Sequence, residues 1–467
     1  MTIHKAMPNN RVEEFSQHPR RALFKLALPT ITAMAVQTTY NMVDTAFVGR
    51  LGTESLAALT FSFPLYFILV SINSGMGVGL NSLISRQLGA KKDQEAENSA
   101  CHGLLIALLT AGLLFIAMFY GASPLFKLLG AQDTPLHLGV TYMKIIVIGN
   151  FFMFPAYALH SLFTAQGDTI TPMKVQIFSL LVNITLDPFF IFVLKLGVPG
   201  AAIATLIAQA CALLLFMIAL RRRSVLKISW SRFFYRFRII SELATVGIPA
   251  SLTMLLMAFY IMFLNRFMAH FGTEYVAAFG MASRLESAVV MPLVASSIAL
   301  LTLTGMFYGA SRYTILKETI HFAMGMNILY ALAVGSLFFL FPTSFLRVFT
   351  KDQHLLDIGA AYMRIEVFTF PLMAVNMTAN RAMQGMGLGL PGITINLVRI
   401  FVVAIPLAYI FVYLFNLSYL WVAVAMVSGG LAANLTALTW LRSTFNGLGT
   451  HRKKNGRRHS GDGEQQR

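Results

Sequence analysis

Long apolar runs, parted by short polar or glycine-bearing breaks, occupy the chain from about residue 20 to residue 441. Many of the runs reach about 18 residues, roughly the length a helix needs to cross the hydrocarbon of a bilayer. Twelve such spans can be marked, at about 22–49, 55–80, 98–120, 136–165, 170–195, 199–220, 243–268, 277–304, 319–341, 355–385, 392–414 and 419–441. The pattern predicts an all-α polytopic membrane protein.

The pattern also repeats. When Pro29 is laid on Pro249, Leu51-Gly52-Thr53-Glu54 falls on Phe271-Gly272-Thr273-Glu274, Gly89-Ala90 on Gly309-Ala310, and Tyr142-Met143 on Tyr362-Met363. Gly167 falls on Gly387, and one gap then brings Pro172 onto Pro391. Six spans per repeat is an even number, so both halves share one orientation. The expectation is two six-helix lobes related by a parallel internal repeat, the plan of alternating-access transporters with a substrate cavity between lobes. The expected divisions are an N-terminal segment at 1–21, a first lobe at 22–220, a basic linker at 221–242, a second lobe at 243–441 and a disordered basic tail at 442–467.

Composition agrees. The 467 residues are 57% hydrophobic and only 12% charged, where a soluble protein has about 25% charged residues; the mean hydropathy is +0.68. The net charge of +17 is gathered in the N-terminal segment, the linker and the tail. With an even number of spans these lie on one side, and the positive-inside rule makes that side cytoplasmic. The basic clusters therefore read as topology determinants in contact with membrane lipids rather than a nucleic-acid surface. A cell (inner) membrane location with both termini cytoplasmic follows. The polar N-terminal segment does not resemble a cleavable leader. Cys101 and Cys211 fall in predicted spans and are expected as free thiols.

Against this apolar background a few polar residues stand out. Asp44 lies in PTITAMAVQTTYNMVDTAFVG, which has no cation from Pro29 through Gly49. A carboxylate at a helix centre costs roughly 2.5–3.5 kcal/mol on insertion, so such a residue faces protein or a wet cavity and marks function by default. Asp187 is comparably placed in the fifth span, with Asn183 one turn below it on the same face. At 1.5 Å per residue both acids lie roughly 8–12 Å below the outer surface. Gln37 and Tyr40 sit two turns and one turn below Asp44, and Thr205 and Tyr142 reach a similar depth from inward-running spans. Two acids, an amide, a hydroxyl and phenols can converge there, a set of oxygen ligands suited to a hard cation or a shared proton. Pro188 removes a backbone donor and predicts a kink. Asp44 falls opposite Leu264 in the repeat, and Asp187 opposite Ile405 or Pro406, so the acids belong to the first lobe alone.

Other candidates are structural as readily as functional. Arg284 and Glu286 open the eighth span, and Arg364, Glu366 and Arg381 lie in the tenth. Pairing among them, or lining the second lobe's part of a cavity, are both open. His160, opposite Asn380 in the repeat, is either a packed core histidine or a proton relay. Gly75, Gly77 and Gly79 lack the Lys-Ser/Thr of a phosphate loop and fit close helix packing. Neither HExxH nor GxSxG occurs, so an enzyme is not expected and no cofactor is implied.

The segments NMVDTAFVGRLGTESLAA, GMGVGLNSLISRQLGAKK, QGDTITP and VNITLDPFFIF, with the later echo HFGTEYVAAFGMASRLESAVVMP, resemble the multidrug and toxic compound extrusion (MATE) transporters from about residue 20 to 441. The resemblance implies two six-helix lobes and export of amphiphilic organic cations in exchange for protons or sodium ions. It is most similar to the DinF branch, which implies a coupling or sodium site at Asp44, Asn183 and Asp187 with the hydroxyl of Thr205. It also implies a pocket lined by Gln37, Tyr40 and Tyr142. The NorM branch carries second-lobe acids on helices seven and ten; here the seventh span has none and Asn380 stands near the tenth-helix position, which argues against a second-lobe sodium site. His160 stands where relatives commonly have Asn. A monomer is expected. The alternatives are a flippase for lipid-linked oligosaccharides of the same superfamily, a membrane-embedded enzyme and a channel.

Overall fold

The structure, a computed structural model, describes residues 8–228 and 230–461; the side chains of 8–10, 40–46, 48, 230 and 449–461 lie outside the described residues. Among the described residues its regular secondary structure is helical throughout. In chain order the helices are α1 (Pro8–Gln17), α2 (Pro19–Gly49), α3 (Thr53–Gly89), α4 (Asp93–Leu128), α5 (Asp133–Ala165), α6 (Ile170–Pro188), α7 (Val198–Arg223), α8 (Phe237–Ala269), α9 (Thr273–Gly309), α10 (Tyr313–Leu340), α11 (Pro342–Leu346), α12 (Gln353–Glu366), α13 (Thr369–Gly385), α14 (Leu390–Leu397), α15 (Ile405–Tyr409) and α16 (Leu420–Gly461). Wider π turns follow α6 at Phe189–Val193 and flank α15 at Val398–Ala404 and Ile410–Leu414. Among the described residues ten helical segments are long and apolar enough to cross a membrane, and the bent pair α12 and α13 makes an eleventh. The first expected span lies within α2.

The helices outrun the spans drawn from hydropathy. α3 has 37 residues, or about 55 Å against roughly 30 Å of hydrocarbon. α4 starts at Asp93 rather than near 98, because Asp93 and Glu95 in its first turn complement the helix dipole outside the lipid. The tenth span, expected as one rod over 355–385, is instead broken, with α12 and α13 meeting at a bend of 47°. There Thr369 Oγ1 donates to the carbonyl oxygen of Glu366 at 2.7 Å, a side-chain bond that competes with the helical ladder. The tail, expected to be disordered from 442, continues α16 to Gly461. Its start is held by Lys317 Nζ, which donates to the carbonyl of Phe445 at 3.3 Å.

The chain divides into two compact units whose boundary differs from that of the repeat. The first unit comprises residues 1–255 with 301–310 and 384–389; the second comprises 256–300, 311–383 and 390–467. In the first unit α5 is the hub, packed against α3, α4 and α7. Of its apolar stretch 61% is buried, against 22% for α4, so α5 lies inside the unit and α4 at its lipid face. The linker after α7 is fastened to this unit. Gln166 Oε1 accepts from the Val225 amide at 2.9 Å, Asn98 holds both the amide and carbonyl of Phe234, and the Arg236 amide meets His102 Nε2 at 3.1 Å.

Where α3 crosses the end of α9, inside the first unit, the repeat becomes a physical two-fold contact. A Cβ added at Gly89 would run into the carbonyl oxygen of Met306, and one at Gly309 into that of Arg86. Gly89 and Gly309 are repeat equivalents, as are Arg86 and Met306. Thr302 Oγ1 donates to Asn81 Oδ1 at 3.1 Å in the same crossing. Backbones this close exclude any side chain, which is why small residues and hydroxyls mark helix interfaces in lipid. The second unit is built on one apolar core, including Leu264, Phe279, Leu293, Phe338, Tyr362 and Met426.

Gly89→Ala and Gly309→Ala should therefore each destabilise by about 1–3 kcal/mol through overpacking. Gly280→Ala and Gly325→Ala, where an added Cβ meets nothing within 4 Å, should be neutral or stabilise by up to about 1 kcal/mol. Thermal unfolding midpoints in one detergent check the contrast; equal shifts in all four variants would contradict it.

Candidate functional site

α6 carries the chemistry in the first unit. It is an ordinary α-helix up to Pro188, after which the ladder widens into the π turn, where the Leu194 amide donates to the Phe189 carbonyl at 2.9 Å. The missing donor of Pro188 marks the transition, and Asp187 sits at that junction. Single π turns of this kind frequently occur at functional sites. Asp187 is wholly buried and Asn183 nearly so. Asn183 Nδ2 donates to Asp187 Oδ1 at 3.1 Å, one helical turn away. An acid so placed can exchange a proton or hold a cation without lipid contact.

Two contacts align α2 with α6. Gln176 Nε2 donates to Gln37 Oε1 at 3.1 Å, and the rings of Phe47 and Phe192 meet edge to face at 6.3 Å. Residue 44 lies between the two contacts on one strand of this pairing, and residues 183–187 lie between them on the other. The backbone therefore brings position 44 to the level of the buried pair. The side chains of Asp44 and Tyr40 themselves lie outside the described residues. Thr205 Oγ1 donates to the Ala201 carbonyl at 3.0 Å, leaving its lone pairs as acceptors. Tyr142 packs beside Ile191, Val198 and Ala201, next to the π turn. His160 is elsewhere. It stacks on Tyr157 at 5.2 Å with Phe216 edge-on at 6.4 Å, and no hydrogen bond among the described residues joins it to Asn183 or Asp187.

The second unit holds a polar group of its own. Glu366, fully buried at the end of α12, has the carboxyl of Glu286 from α9 as its principal charged neighbour. Glu286 in turn faces Arg399, and the Arg399 guanidinium lies over the Tyr260 ring of α8 at 5.3 Å. Four elements thus bring two acids and one cation together. With both acids ionised the group carries one net negative charge, which a proton or a cation can neutralise. Arg284 and Arg364, by contrast, are exposed. Asn380 packs against Gly392 of α14. Arg399 and Tyr260 were not among the sequence candidates, although Arg399, a cation inside an apolar run, is as conspicuous as Asp44.

Removing one member of a buried charge group costs about 3–5 kcal/mol, because the others lose their compensation. Arg399→Met should therefore lower the unfolding midpoint strongly, and adding Glu366→Gln should restore part of the loss. A double variant no more stable than Arg399→Met alone would show that the three charges are not coupled.

Comparison with known proteins supplies the frame for these sites. The MatE family model matches the chain twice, over residues 29–189 and 249–410. The two matches start at Pro29 and Pro249, the prolines that the repeat superposes. A curated relative, the probable multidrug resistance protein YoeA of Bacillus subtilis, is 26% identical over 400 residues, covering 84% of this chain and 86% of its own. An FAD transporter of Shewanella oneidensis is 27% identical over 397 residues, covering 83% and 87%. A MATE transporter crystallised in the bent conformation superposes with a TM-score of 0.90 at 27% identity, over 97% of this chain and 99% of its own. With the family model matching more than two thirds of its length in two copies, the chain belongs to the MatE family of multi-pass membrane transporters and is not an enzyme.

Proposed function

We propose that the chain is a secondary active exporter of amphiphilic organic cations, driven by protons or sodium ions that bind in the first repeat. Asp44, Asn183 and Asp187 form the coupling site with the Thr205 hydroxyl as a further ligand, and Gln37, Tyr40 and Tyr142 line the adjoining cavity, as in the DinF branch. The observation that carries this reading is the buried Asn183–Asp187 pair at the α6 junction, on the level of position 44. It has no counterpart at the matching positions of the second repeat.

The magnitude is sufficient for coupling. A carboxylate at a helix centre costs roughly 2.5–3.5 kcal/mol, and a ligand that neutralises it in only one conformation shifts the balance of states about a hundredfold. Proton or sodium entry then favours one arrangement of α2, α6 and α7, and substrate release accompanies it. The same oxygens serve either ion. A second reading, export of a bulky anionic compound by the same coupling site, draws on the similarity to the FAD transporter.

In proteoliposomes, Asp44→Asn and Asp187→Asn should each abolish gradient-driven transport of ethidium while expression is unaffected. Unchanged transport in both would remove the coupling assignment. Imposing a sodium gradient alone, then a proton gradient alone, identifies the ion. Replacing ethidium with a flavin nucleotide as the transported fluorophore decides between the two substrate classes.

A further inference from the structure

A second polar feature lies apart from both acid groups. The end of α3, the start of α4, the linker leading into α8 and the end of α9 line an open cavity of about 290 Å³ within the first unit. Four cations line it, Arg86, Lys92, Arg236 and Arg238, against two acids, Glu95 and Glu242. Glu242 is shared, 2.8 Å from Arg238 and 3.7 Å from Arg86, and Lys92 lies 3.3 Å from Glu95. Arg236 has no carboxylate within ion-pair distance among the described residues; its guanidinium rests on the Phe234 ring at 4.5 Å. The cavity therefore retains two uncompensated positive charges.

Its walls are built rather than incidental. Asn98 and His102, both buried, clamp the backbone of the linker at Phe234 and Arg236. The position is telling too, since α3 ends and α4 and α8 begin here, at the edge of the apolar spans. Phe234, Tyr235 and Phe237 are 43%, 64% and 70% exposed beside the cations. Aromatic rings left uncovered next to a basic cavity fit the boundary between headgroups and acyl chains.

We propose that this cavity binds the phosphate headgroup of an anionic phospholipid, with Arg236 supplying the unpaired charge, Lys92 beside Glu95 a further donor, and Phe234 and Phe237 meeting the upper acyl chains. A phosphodiester brings one negative charge with two free oxygens, which an arginine fork and an ammonium recognise. The volume suits a headgroup and lies at the floor, about 300 Å³, of the range typical of drug-sized sites. Inorganic phosphate shares the recognition chemistry, but only a lipid also covers the exposed rings. The proposal is independent of which ion drives transport.

The test is native mass spectrometry of the full-length protein equilibrated with equimolar phosphatidylglycerol and phosphatidylcholine. Wild type should retain phosphatidylglycerol preferentially. Arg236→Gln and Lys92→Gln should each reduce that retention roughly tenfold, the loss of one hydrogen bond to a charged group. Arg221→Gln, at an exposed cation in the last turn of α7 outside the cavity, should leave it unchanged. Each variant is first checked for a monodisperse elution profile, and Lys92→Gln decides if Arg236→Gln does not fold. No lipid preference, or equal loss in the Arg221 variant, would overturn the site in favour of diffuse attraction. In detergent without lipid, inorganic phosphate should not shift the unfolding midpoint. A shift matching that from phosphatidylglycerol, and absent in Arg236→Gln, would overturn the assignment to lipid.

Discussion

Hydrocarbon offers a polar group neither a hydrogen-bond partner nor a counter-charge, and the rest of this structure follows from that constraint. Every span is helical because a helix satisfies its own backbone. Threonine and serine hydroxyls within the spans mostly bond back to a carbonyl four residues earlier, as Thr30, Thr38, Thr205 and Thr253 do. Groups that cannot be satisfied locally are drawn inward and partnered across helices. Asn81 with Thr302 and Asn327 with Thr378 are neutral examples. Asp187 is the charged case, and a partner, Asn183, lies one turn away on the same helix.

The same constraint turns a duplicated scaffold into an asymmetric machine. Backbone features survive duplication, since Gly89 and Gly309 make reciprocal contacts that leave no room for a side chain. Polar content does not survive, because each buried charge needs its own set of partners. The first repeat keeps an acid and an amide beside the π turn of its fifth span. The second repeat places Arg399 in a π segment of its own, Val398–Ala404, ahead of the one that matches the first repeat's turn, and sets it near acids from two other helices. The widened turns recur in both, so the scaffold preserves a place where the backbone departs from regularity and the side chains there are free to differ.

The linker extends the logic to the membrane surface. A basic segment this long could be a loose tether, yet it is tied by buried Asn98 and His102 to the start of α4. The cations it presents are held in a fixed geometry rather than averaged over a chain.

The all-helical membrane-spanning class, the repeat and the costly acids were legible in the sequence, since each rests on local chemistry: apolar length sets a span, a shared offset sets a repeat, and a charge in an apolar run needs a reason. Pro188 likewise announced a break, and the α-to-π transition begins there. Helix ends were less legible, because Asp93 and Glu95 extend α4 through their interaction with its dipole, which hydropathy does not measure. The bend after Glu366 was not legible, because a single hydroxyl choosing a carbonyl decides it. Which charges meet was likewise decided by tertiary structure alone. Glu286 could pair with Arg284 by sequence proximity, but it faces Arg399, far along the chain, while Arg284 turns outward. Sequence sets the cost of each buried charge; only the packing of distant helices decides which partner offsets it.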